Sequence, residues 1–103
     1  MAEAYKVLSQ GEVATSATAL YTVPVATEAI IKHMDVVCTS AAKLKLWVGG
    51  TGDGNVILPE VSLATGEFAQ WDGTIALEAG QIIYGDSDVS TAITVTIYGL
   101  EIT

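Results

Sequence analysis

The longest stretch of this sequence free of glycine and proline, Val25–Val48, is the only place where a long helix could form, and it does not read as one. Its centre, IIKHMDVVCT, is β-branched and carries no apolar stripe at three–four spacing. Elsewhere ten glycines interrupt the chain at short intervals, and Val, Ile and Thr supply 32 of the 103 residues. Those side chains suit a pleated, half-buried surface. The whole chain is expected to be all-β.

The strands can be placed by alternation and by turn residues. A loose tail to about Ala4 leads into a short edge strand at Tyr5–Ser9. Ala19–Pro24 is a strand that stops where Pro24 removes a backbone donor. Ala29–Thr39 carries Ile30, Met34, Val36 and Cys38 on one face, and Ile31 and Val37 on the other. A strand apolar on both faces is covered on both. Lys43–Val48 alternates, with Leu44, Leu46 and Val48 inward and Lys43, Lys45 and Trp47 outward. The loop GGTGDGN at 49–55 joins it to Val56–Leu63, which Pro59 demotes to an edge or a broken strand.

Two echoes follow, LATGE at 63–67 and LEAGQ at 77–81, each read as a hairpin corner whose glycine adopts a left-handed conformation. Glu67–Trp71, Thr74–Ala79 and Gln81–Gly85 are three more strands. In Ala92–Thr103, Ile93, Val95 and Ile97 share one phase while Leu100 and Ile102 share the other. A bulge at Gly99 would return the latter pair to the core. Eight or nine short strands with regular turn signals predict a single antiparallel β-sandwich, jelly-roll-like. Residues 1–17 are expected to form an N-terminal arm with the first short strand, and 18–103 the sandwich.

Charge limits the partners. Twelve acidic residues face four lysines, for a net charge of −8, and every lysine lies within residues 1–45. Nucleic acid and anionic membranes need clustered Lys and Arg, so neither is expected as a partner. No apolar run approaches the ~20 residues that span a bilayer. The opening MAEAYKVLSQGEV has no basic segment followed by an apolar one, so nothing in it marks the chain for secretion.

Catalytic chemistry finds little support. His33 and Cys38 are one of a kind, and their odd separation in a strand puts them on opposite faces. Cys38 reads as a core residue and His33 as an exposed or interfacial one. Asp53-Gly-Asn55 and Asp86-Ser-Asp88 lack the remaining ligands of a calcium loop and read as turns. The glycine-rich loop lacks the Lys-Ser/Thr of a phosphate-binding loop. A cupin-like metal site needs several histidines. No enzyme activity, cofactor or metal is expected. Trp71, before Asp72-Gly73, is a candidate core cap. Trp47 beside Lys43 and Lys45 reads as a solvent-facing partner contact, its lysines drawing an acidic surface.

LYTVP (20–24), EAIIKHMDVV, LKLWVGG, LATGEFAQWDG, IALEAGQIIYG and the closing TVTIYGLEIT together resemble a group of small structural proteins of tailed bacteriophages. The resemblance spans roughly residues 18–103. It implies a β-sandwich virion component, made in the host cytoplasm, that self-associates and has no catalytic residues. The favoured expectation is a capsid decoration protein on the head surface, clamping major capsid subunits, with a trimer preferred over a dimer. The alternative is a tail or fibre module recognising a host surface or glycan through Trp47, Trp71 and the turn acids. Ile31, Val37, Lys43, Lys45 and Trp47 are the expected partner or oligomer interface.

Overall fold

The computed structural model describes residues 3–103. Eight strands follow one another: β1 (Glu3–Glu12), β2 (Thr18–Thr22), β3 (Glu28–Cys38), β4 (Ala42–Val48), β5 (Val56–Leu63), β6 (Phe68–Leu77), β7 (Ile82–Ser87) and β8 (Ile93–Ile102). They form two four-stranded antiparallel sheets, ordered β1-β8-β3-β6 and β2-β7-β4-β5. The first strand pairs with the last, the second with the seventh, the third with the sixth, and β4 with β5. The chain is thus one long antiparallel hairpin rolled into two sheets, the strand plan of a jelly roll.

Alternation puts one face of each strand into the space between the sheets. Met34, Val36 and Cys38 of β3 meet Leu44 and Leu46 of β4, Ile83 of β7 and Ile93, Val95 and Ile97 of β8 in one buried cluster. Each such large aliphatic side chain contributes about 1.5–3 kcal/mol when fully buried. Pro59 falls on β5, an edge strand where a residue without an N–H is tolerated, and the β4–β5 register slips on either side of Leu46.

Several expectations need correction. The loose tail expected up to Ala4 lies in part outside the described residues, and Glu3 and Ala4 already belong to β1. That strand runs the full length of β8, and Val13 just beyond it is in the core. No arm therefore separates from the sandwich at residue 17. The two strands expected at 67–71 and 74–79 are one, β6, with Gly73 and Thr74 outside the regular register.

The echoed corners are built alike. The N–H of Glu67 donates to the Ala64 carbonyl at 3.0 Å, and that of Gln81 to the Glu78 carbonyl at 3.1 Å. In return Glu67 Oε1 accepts from the Ala64 N–H, and Gln81 Oε1 from the Glu78 N–H, at 2.7 and 2.8 Å. Gly66 and Gly80 have φ of 80° and 86°. These corners are not hairpins, because each carries the chain from one sheet to the other. The β2–β3 connection is a third turn that crosses between the sheets at a positive φ, hidden in the sequence because Ala26 holds it at 57°. Pro24 has no N–H for the side-chain bond of the other two, and the Thr27 hydroxyl donates to the Val25 carbonyl instead.

The largest correction concerns phase. The register shifts between Ile31 and His33, so Lys32 is an extra residue in β3 opposite consecutive residues of β8. Before this bulge the inward residues are Ala29 and Ile31, and after it Met34, Val36 and Cys38. β8 itself runs against β3 without a bulge of its own: Gly99 lies opposite Ile31, and Leu100 and Ile102 stay half-buried on the outer face. Gly99 serves the bulge from across the ladder, since a Cβ there would overlap the Ile30 carbonyl.

Candidate interaction face

The residues expected to form one interface separate onto two sheets. Ile31 is fully buried in the chain's own core, because the bulge turns it inward, so it needs no partner to cover it. Val37 does face out, on the opposite side of β3 from Val36 and Cys38, and is 48% exposed. Lys43, Lys45 and Trp47 lie on the other sheet, on β4. They do not meet Val37.

Trp47 shares the outer face with the two lysines as expected, yet it is only 6% exposed. Its register partners are Tyr84 of β7 and Val56 of β5, and Lys45 Nζ sits 5.2 Å from its ring. Trp47, expected to face solvent, is a packed residue, and its buried Nε1 has no hydrogen-bond partner among the described residues. An open cavity of about 380 Å³ beside it is lined by Lys43 and Lys45, but also by Glu60, Asp86 and Asp88. Lys43 Nζ lies 3.9 Å from Glu60 Oε1, and the Lys43 backbone N–H donates to Asp88 Oδ1 at 2.7 Å. Three carboxylates around two lysines do not make a basic patch. Trp71 belongs to β6 in the opposite sheet, where it packs half-buried against the core over Gly73. The two tryptophans therefore share no platform.

The outer face of β1-β8-β3-β6 carries the more developed arrangement. Across the sheet, Tyr5 opposes Leu100, Val7 opposes Tyr98, Tyr98 opposes His33, and His33 opposes Asp72. Two same-face steps along, beyond Asp35 and Gln70, Val37 opposes Phe68. Phe68, Tyr5 and Val7 are 70%, 59% and 50% exposed. At the centre, His33 Nδ1 lies 2.6 Å from Asp72 Oδ1, and His33 Nε2 lies 2.6 Å from Asp35 Oδ1. Gln70 Nε2 donates to Asp35 Oδ1 at 3.3 Å, and the Tyr98 ring is tilted against the imidazole with centroids 5.4 Å apart.

The electrostatics follow from these contacts. Hydrogen bonds donated by the ring to the carboxylates, Asp72 first and then Asp35, push the His33 imidazolium to a pKa above the ordinary histidine range. The Asp35 carboxyl is held below its usual range by His33 and next by the Tyr98 hydroxyl. The sequence reading placed His33 on an exposed or interfacial position but missed its partners. Asp35, two residues on in the same strand, was the available signal, since i and i+2 share a face. Asp72 comes from 39 residues away and had none.

At the end of the sandwich, Tyr21 of β2 donates to Glu101 Oε2 of β8 at 2.7 Å, and Lys6 Nζ lies 3.0 Å from Glu101 Oε1. This group ties the two sheets together. Cys38 is buried, with its thiol 2.9 Å from the Ser40 carbonyl, and lies across β3 from His33. No protein-family model matches this chain, and no curated protein matches its sequence.

Proposed function

We propose that this chain is a structural virion module of a tailed phage, a decoration protein that docks on major capsid subunits through the outer face of β1-β8-β3-β6. One observation carries the choice of face: Tyr5, Val7, Val37 and Phe68 are about half exposed or more on it, around a charged centre. A single chain gains nothing from displaying large apolar side chains in this way, whereas a docked one buries them. The assignment to a virion rests on the resemblance of the strand and corner segments. The jelly roll agrees with it, being a fold of viral capsid domains, though lectins and cupins share that fold.

The mechanism is mass action. A module that binds only the assembled shell lowers the free energy of that shell. Self-association, as a trimer before a dimer, belongs to the same reading. The glycan-binding alternative loses its platform, since Trp47 is buried and Trp71 sits on the other sheet.

The test uses heads of the encoding phage assembled without this protein. They should bind it from solution and then resist heat or chelator better than bare heads. Val37→Asp with Phe68→Asp should abolish binding while the thermal midpoint stays close to that of the native protein, as for exposed positions generally. Native protein that does not bind such heads would overturn the reading.

A further inference from the structure

We propose that His33, as an imidazolium held between Asp35 and Asp72, is a proton-dependent clamp that fastens edge strand β6 to β3 beside the break in their register. The inference is independent of what the face docks upon.

Proton counting carries it. Both ring nitrogens lie 2.6 Å from a carboxylate oxygen. A neutral imidazole has one N–H, so it can donate to only one of them, and its other nitrogen would turn a lone pair towards an anion. Two short contacts to two carboxylates need two ring protons, and such charge-assisted bonds are the strong ones. The position gives the clamp something to hold. His33 follows the extra residue Lys32 in β3, and Asp72 precedes Gly73 and Thr74, which stand outside the register of β6. The clamp is the charged side-chain tie at the point where the β3–β6 ladder is interrupted, beside the bond from Lys32 to Thr74.

The two carboxylates are not equivalent. Asp35 has further support from Gln70 on β6 and from the Tyr98 hydroxyl on β8. Asp72 is 77% exposed and has only His33 as a side-chain partner among the described residues. The remaining charged or titratable neighbours are Lys32 on β3, which donates to Thr74 Oγ1 at 3.1 Å, and Tyr5 on β1, beyond Tyr98. When the imidazolium loses a proton, the Nε2–Asp35 contact keeps the one that remains and Asp72 is released. The edge strand then loses its charged tie to β3 and keeps only the weaker Gln70–Asp35 and Lys32–Thr74 bonds, while β3 and β8 stay joined by their ladder.

The direction of the effect is fixed. A histidine whose folded pKa is raised contributes fully below its ordinary 6.5, and the contribution is lost as pH rises through the folded value. The clamp also fails in acid, once Asp35 is protonated at a pH below its ordinary 3.8.

The experiment follows the His33 ring by NMR across pH, together with hydrogen exchange of the β6 amides bonded to β3, corrected for intrinsic rate. The ring should titrate above 6.5, and β6 protection should fall through the same midpoint. Asp72→Asn, at an exposed position, should move the midpoint down towards 6.5, and His33→Gln should remove the pH dependence of β6 protection. A native midpoint at or below 6.5, a midpoint unmoved by Asp72→Asn, or β6 protection that is constant through the His33 titration would overturn the proposal.

Discussion

Gly99 of β8 stands opposite Ile31 at the point where β3 bulges, and its missing side chain makes room for the Ile30 carbonyl. The bulge and the glycine are therefore one feature shared by two strands. Gly99→Ala must push β3 and β8 apart and should cost ~1–3 kcal/mol or more. Leu100→Ala, on the half-buried outer face, should cost less than Ile97→Ala, which opens a cavity at a loss of ~2–5 kcal/mol. Urea unfolding of the three variants gives the order.

The corner at Ala26 offers a gain. Ala26 sits in the left-handed region that Gly66 and Gly80 occupy in the other two corners, and an L-residue there costs roughly 1–2 kcal/mol. Ala26→Gly should raise stability by about 0.5–1 kcal/mol after the greater freedom of glycine in the unfolded chain is subtracted. Gly66→Ala and Gly80→Ala should each lower it. Thermal midpoints of the three variants check the signs.

These corners mark how far the sequence could be read. Both glycine-bearing ones were visible as echoes, Pro59 marked β5 as an edge, and alternation located Leu44 and Leu46 in the core. The third corner was not visible because alanine carries its strained residue. The phase of Ile31 was misplaced because a bulge leaves no signature in side-chain type, and one inserted residue exchanges the faces of all that follows. Gly99 did signal an irregularity, but on the strand opposite the one that bulges. Of the residues expected at an interface, Val37 has its expected orientation, whereas the burial of Trp47 depends on β5 and β7, which pair with it from outside its own segment.

Trp47 leads to a prediction opposite to that of a solvent-facing side chain. Trp47→Ala should cost ~3–5 kcal/mol, as for other buried aromatics. Trp47→Phe should cost far less, because it also removes the buried Nε1–H that has no acceptor among the described residues. Changing Lys43 and Lys45 to Glu sets two more carboxylates among Glu60, Asp86 and Asp88 and should lower the thermal midpoint, though by less than Trp47→Ala. Chemical denaturation separates the three outcomes.

The Tyr21–Glu101–Lys6 group sets an acid limit. The Tyr21 hydroxyl, then the Lys6 ammonium, hold the Glu101 carboxyl below its ordinary range, while burial first and Glu101 next push the Tyr21 hydroxyl up. A depressed carboxyl stabilises above its ordinary 4.5 and loses that contribution as pH falls through the folded value. Glu101→Gln should therefore be less stable than the native protein at pH 7, and its stability should depend less on pH in acid. Urea midpoints measured from pH 7 down to pH 3 test the sign.

The central claim is the docking of the β1-β8-β3-β6 face on a capsid, and electron microscopy of decorated heads tests it most directly. The density should place the jelly roll on the outer surface of the shell with Val37 and Phe68 against major capsid subunits and the Lys43–Trp47 face of the other sheet turned away. A head reconstruction in which the domain is absent, or in which Val37 and Phe68 point to solvent, would contradict it.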